Sequence, residues 1–495
     1  MQYIDYVSMS PLKRLAYRLS NAFRSIPGAL KKTGIKIWHV LRRGALGIKN
    51  GFRSYVATFR DGDFRTRLSY ILMGSGSFLR GQVVKGFGFL FLQAAFIAYM
   101  NSFGVRQLTL LPTLGKAVRY EIWNEEKQIF EYIQGDNSML ILLFSVLTIA
   151  IIFAFLSIYI INIRTAYCNQ LTVAKGKKLP NFVQDIAGLF DKNLHIAFLS
   201  LPTIGVLVFT ILPLIFMILI AFTNYDQSHQ PPGTLFTWVG FENFKNIFWS
   251  DPTKSATFVG VFQWTVVWAF FATFSNYILG MVLALMINKK GIKLKKLWRT
   301  VFVVTIAVPQ FVSLLLMGRL LADLGAANVL LGYLGIAPVQ FLTNATIARI
   351  TVIVVNMWVG IPYTMLITSG ILMNIPADLY ESARIDGASA IKTFTKITLP
   401  YMLFVTTPYL ITQFIGNMNN FNVIYLLSAG GPLSLDYYQA GKTDLLVTWL
   451  YKLTVNQQDF NLASAIGIII FVISAALSLI VYNSSSSVKK EDTFQ

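Results

Sequence analysis

Apolar residues fall into eight runs separated by polar connections: 86–103, 138–163, 196–223, 256–288, 300–318, 350–374, 401–418 and 462–482. A helix needs about 20 predominantly apolar residues to cross the hydrocarbon core, so each run predicts a membrane span. The first and seventh are the shortest. Run 256–288 exceeds the need and is expected to tilt or to reach into the interface. All 64 acidic and basic residues lie outside the eight runs. The pattern predicts an all-α integral membrane protein of about eight transmembrane helices.

Composition agrees. Hydrophobic residues make up 55% of the 495 and charged residues only 13%, against about 25% charged in soluble domains. A soluble globular enzyme and a disordered chain are both excluded. The charge is sparse but biased, +20 overall. With the N-terminus placed inside, the inside segments hold 32 Lys and Arg and the outside segments 10. The positive-inside rule then predicts a multi-pass protein of the cell membrane with both termini cytoplasmic.

Cys168 is the single cysteine, so neither an internal disulfide nor a Cys-based zinc site is available. His39, His195 and His229 stand at no metal-ligand spacing, and no metal site is expected. The basic stretch 11–60 carries Leu12, Leu15, Leu19, Phe23 and Ile26 at roughly helical spacing between Lys and Arg. That pattern suits amphipathic helices on anionic lipid rather than a nucleic-acid-binding arm. Gly441-Lys442-Thr443 suggests a phosphate loop, but the required first Gly is Asp436, so the pattern fails. No nucleotide or other cofactor is expected on this chain. No catalytic residue is expected either.

Spans without charge argue against ion coupling and against acidic substrates, and favour a neutral polyol or sugar. Asn356, Val359, Gly360 and Tyr363 follow i, i+3, i+4, i+7 and share one helix face. Gln413, Gly416, Asn417 and Asn420 repeat that spacing in the next run. Amides beside an aromatic suit a sugar pathway. On spacing alone they suit interhelical hydrogen bonding equally well. Pro309, Pro362 and Pro408 interrupt three successive runs, and each can kink its helix.

Between the sixth and seventh runs, 375–400 reads IPADLYESARIDGASAIKTFTKITLP. It predicts a helix over 377–384, a break at Gly387, and a second helical stretch stopped by Pro400. Glu381-Ser382-Ala383, then Gly387, then Ile397-x-Leu399-Pro400 resembles the EAA loop of ABC importer permeases, with Ser382 where Ala is usual. Matches at 224–233, 238–244, 356–363, 417–432 and 443–451 extend the likeness over 196–482, and GQVVKGFGFLFL at 81–92 suits two additional N-terminal spans. Together they resemble the MalF/MalC-type permease subunit of maltose/maltodextrin importers.

Charge and span positions set off a basic cytoplasmic amphipathic region (1–85) and a short cytoplasmic tail (483–495), and the resemblance implies two accessory spans (86–195) and a six-helix permease core (196–482) with its coupling loop at 377–400. It implies that the coupling helix docks into a cytoplasmic ATPase, Glu381 pairing with a basic residue there while Ala383 and Gly387 keep the surface small. It implies further partners: a second related permease (MalG-like), a homodimeric ATPase that holds ATP and Mg, and an extracytoplasmic sugar-binding protein. Asn356, Val359, Gly360, Tyr363, Asn417 and Asn420 stand at sugar-contacting positions of the family. Gln310 and Ile306 stand where the family has Ser and Tyr, and Gly416 where it has an aromatic, which implies a roomier site. Gln413 joins the pathway on spacing. The implied function is ATP-driven import of maltodextrin-type neutral oligosaccharides. The alternatives are another glycoside or glycerol phosphate, or a self-contained secondary carrier. The loop 224–255 is short, so contacts with a binding protein differ from those of members with a large domain there.

Overall fold

The computed structural model describes residues 38–39, 42–44, 46–47, 49–289 and 291–484. They form two compact units that divide between Gly240 and Phe241. Most of the amphipathic stretch expected over 11–60 and nearly all of the C-terminal tail lie outside the described residues. Residues 51–61 are helical.

The N-terminal unit contains α1 (Val83–Leu110), a hairpin of β1 (Tyr120–Asn124) and β2 (Ile129–Ile133), α2 (Ser138–Ala174) and α3 (Leu194–Ile220). α1 packs on α2 through the stacked rings of Phe96 and Phe155, 3.8 Å apart, and a 2.8 Å hydrogen bond between Tyr99 and Thr148. The hairpin pairs Ile122 with Glu131 and turns through Gln128 at φ 54°. It was not expected from the sequence, although YEIWN and IFEYI have strand-forming residues around a polar turn. α3 packs on α2 and so groups with this unit, whereas the sequence reading placed it with the permease core.

Residues 63–82, at the end of the expected basic cytoplasmic amphipathic region, seat on α2 through a polar network. Asn162 accepts from Gly74 N at 2.9 Å and donates to Ser69 O at 3.1 Å, while Asn169 donates to Gln82 at 2.7 Å. Arg80, its side chain 3% exposed, pairs with Asp63 at 2.6 Å. Buried polar groups must find partners, and α2 supplies them from one face.

The C-terminal unit is built around α4 (Pro252–Asn288). It continues with α5 (Lys295–Ala307), α6 (Gln310–Leu320), α7 (Ala345–Met373), α8 (Ala377–Ile385), α9 (Leu399–Met418), α10 (Phe421–Ser428), α11 (Leu446–Tyr451) and α12 (Phe460–Ser484). α4 packs against α7 and α9. Trp264, Trp268, Leu314, Val352 and Val423 meet in one buried cluster. Both indoles also donate, Trp264 to Thr443 O at 3.1 Å and Trp268 to Asn417 O at 3.0 Å.

α4 and α7 approach closely because each offers a glycine to a polar residue of the other. A Cβ at Gly280 would stand 2.7 Å from Thr364 Cβ, and one at Gly360 would stand 2.8 Å from Asn276 Cγ. Small residues permit this kind of crossing in membrane bundles.

Among the described residues six helices are long and apolar enough to cross a membrane, and seven if α5 and α6 count as one bent span. The exact count of eight expected from the sequence is not confirmed. α9, which corresponds to run 401–418, is a full 20-residue helix but carries Thr406, Thr407, Thr412, Gln413 and Asn417. Those residues make it too polar to satisfy the apolar criterion. Of the three prolines, only Pro309 separates helices, with α5 and α6 meeting at 87°. Val308 is extended (ψ 125°), as a residue before proline prefers. Pro362 and Pro408 lie inside unbroken helices. Pro400, expected as a stop, sits in the first turn of α9, where a missing N–H is harmless.

Candidate functional site: an amide-lined cavity and an exposed acidic helix

A cavity of about 410 Å³ opens between α4, the α5–α6 bend, α7 and α9. All eight residues expected on the pathway line it: Gln310 at the bend, Asn356, Val359, Gly360 and Tyr363 on α7, Gln413 and Asn417 on α9, and Asn420 just beyond. Ile306 lines it too. The helical spacing explains the two stripes. The bend explains Gln310, since Pro309 turns the first residue of α6 towards α7.

Five lining residues were missed by the sequence reading: Asn276, Thr305, Val308, Ser313 and Trp358. Asn276 had a signal, an amide in the middle of an apolar run, but its run shows no stripe. Among the described residues no Asp, Glu, Lys, Arg or His lines the cavity. Amides, hydroxyls and the half-exposed rings of Trp358 and Tyr363 define its chemistry. A Cβ at Gly416 would meet nothing within 4 Å, so this position leaves open space.

The amides are not alike. Asn417 donates to Thr273 at 2.9 Å, and Asn420 caps α10 by accepting from Val423 N at 3.2 Å. Both therefore brace the wall as well as face the cavity. Asn356, 5% exposed, has a buried Nδ2 without a hydrogen-bond partner, and Asn276 has a buried Oδ1 in the same condition.

At the other candidate site, α8 presents Glu381 to the surface. Among the described residues no ion pair engages it. Ala383 is buried in this chain, so its small side chain serves the seat of α8 itself. Gly387 adopts φ +67°, and the Ala388 N–H closes onto Ala383 O at 2.9 Å, ending the helix as a left-handed glycine does. Beneath α8 lies a cavity of about 690 Å³ bordered by Lys289, Tyr380, Glu381 and Arg384.

Comparison with known proteins decides what kind of machine carries these sites. Residues 276–490 match the family model for binding-protein-dependent transport system inner membrane components. The chain is 36% identical over 424 residues to the galactooligosaccharides transport system permease protein GanP of Bacillus subtilis, covering 85% of this chain and 97% of that one. This chain belongs to that permease family. It is also 35% identical over 433 residues to the maltodextrin permease protein MdxF of Bacillus subtilis (85% and 95% covered). The maltodextrin permease protein MalC of Streptococcus pneumoniae is 33% identical over 441 residues (86% and 97%). The chain is thus a MalF/MalC-type, membrane-spanning permease component of an ABC importer, and its relatives are transport permeases rather than enzymes. The fold is shared with a chain of a bacterial alginate ABC transporter solved with an alginate pentasaccharide-bound periplasmic protein (TM-score 0.51, 23% identity, 61% of this chain and 97% of that chain).

Proposed function

We propose that the permease passes neutral oligosaccharides, with maltodextrins the first candidates and galactooligosaccharides the second. The carrying observation is a cavity with six amide side chains, two aromatic rings and, among the described residues, no charged side chain. Sugar hydroxyls need donors and acceptors and their C–H faces need aromatic surface, whereas a uronate or phosphate would need a cation. The maltodextrin reading draws support from MdxF and MalC, the galactoside reading from GanP.

In this reading the chain pairs with a second permease and two copies of an ATPase that holds ATP and Mg, and receives its sugar from an extracytoplasmic binding protein. Both termini and α8 face the cytoplasm. ATPase closure moves α8, and the α5–α6 bend and α9 shift the cavity walls so that the sugar is exposed to one side and then the other.

Uptake of radiolabelled maltotriose, galactotriose and trigalacturonate by cells carrying the intact importer tests the reading. Neutral sugar should accumulate and stop when ATP is depleted. Preferred uptake of the uronate, or uptake that survives ATP depletion, would overturn it.

Tyr363→Ala should reduce uptake of the neutral sugar by more than tenfold, since it removes both a ring face and a hydroxyl. A single neutral hydrogen bond, worth ~0.5–1.5 kcal/mol, accounts for only roughly three- to tenfold. Normal complex yield with this loss is the expected outcome; a parallel fall in yield would assign Tyr363 to packing.

A further inference from the structure

We infer that Asn276 is a sugar-contacting, specificity-determining residue of the same cavity, seated there by the absence of a side chain at Gly360. The inference rests on the proposed sugar-permease reading.

Three observations carry it. Asn276 lines the cavity from α4, opposite the α7 stripe. Its Oδ1 is buried without a partner, and so is Nδ2 of Asn356, a residue that lines the same cavity. Leaving a buried polar atom unpaired is costly, so two such atoms on side chains lining one cavity mark a place where a ligand completes the bonding. The chemistry is complementary. Asn276 offers an acceptor and Asn356 a donor, and a hydroxyl is both donor and acceptor, so one or two neighbouring sugar hydroxyls satisfy the pair.

Gly360 supplies the geometric reason. A Cβ there would collide with the Asn276 amide nitrogen and stand 2.8 Å from its Cγ. The obstacle is the terminal amide of a short side chain, so any larger residue at 360 displaces Asn276 from its present seat. One glycine therefore permits both the close helix crossing and the placement of the amide.

The test uses proteoliposomes holding the whole importer and the full-length chain. Maltotriose and galactotriose are each offered with their series of monodeoxy analogues. Wild type should lose about three- to tenfold in uptake for the analogue lacking the hydroxyl that meets Asn276. Asn276→Ala should lose a similar factor for the parent sugar and no longer discriminate that analogue, while keeping its sensitivity at the other hydroxyls. Gly360→Ala should erase the same discrimination without touching the Asn276 side chain chemically. A loss equal for every analogue in both variants would make Asn276 structural and overturn the inference alone. A wild-type importer that takes neither parent sugar would overturn the proposed function and this inference together.

Discussion

Glu381→Lys is expected to abolish sugar uptake while the complex still assembles and hydrolyses ATP at its basal rate. Glu381 is exposed on α8, it has no ion pair within the described chain, and its helix is fixed at one end by the left-handed Gly387. An acidic group held out in this way is available to a basic partner. If the proposed contact is partly buried on docking, removing one partner costs ~2–5 kcal/mol, and reversing the charge adds repulsion. Glu381→Gln should fall between, since it keeps hydrogen bonding and loses the charge. Paired measurements of uptake and ATPase activity distinguish this from misfolding. Normal uptake by Glu381→Lys would reject the coupling role.

Asp444→Ala should destabilise the C-terminal unit by about 3–5 kcal/mol, the usual consequence of leaving one member of a buried ion pair alone. The Asp444 side chain is fully buried and lies 2.6 Å from Lys452 Nζ, itself 12% exposed. It also accepts from Gly441 N at 2.7 Å and Thr448 Oγ1 at 2.8 Å. Burial pushes its carboxyl above the ordinary range, opposed by the Lys452 charge and these hydrogen bonds. Gly430, at φ +77°, packs so closely on the carboxylate that a Cβ would collide with it. The clamp therefore ties 429–445 to α11. Through the 2.9 Å contact between Ser428 and Thr443 it also steadies α10, the helix that Asn420 caps. Thermal unfolding of the purified complex measures the effect. Asp444→Ala with Lys452→Met should recover most of the loss, because no charge is then stranded. An unchanged melting transition in Asp444→Ala would show that the pair contributes nothing.

What the sequence revealed depended on how local the signal was. Asn356, Val359, Gly360 and Tyr363 were legible because helical periodicity alone puts them on one face. The α5–α6 bend was legible at Pro309, but its 87° was not, since Pro362 and Pro408 carry the same local signal and lie within uninterrupted helices. Asn276 was missed because its meaning lies in what it faces: only the crossing of α4 with α7 brings it to Gly360. Asp444 likewise reads as one charge in a polar loop until the fold buries it beside Lys452. The segment 63–82 was grouped with the basic N-terminal region because Arg65, Arg67 and Arg80 stand out, while the Ser, Thr and Gly that seat it on α2 carry little pattern. α9 was read as a span carrying a polar stripe, and Gln413 and Asn417 of that stripe line the cavity.

The central claim is that a neutral sugar occupies the amide-lined cavity between α4, α6, α7 and α9. Its most direct test is an experimental structure of the assembled importer trapped with maltotriose, or with galactotriose if that is the sugar transported. The account predicts sugar density within hydrogen-bonding distance of Asn276 and Asn356 with a ring face against Tyr363. Density lodged elsewhere along the permease, with the cavity closed or filled by side chains, would contradict it.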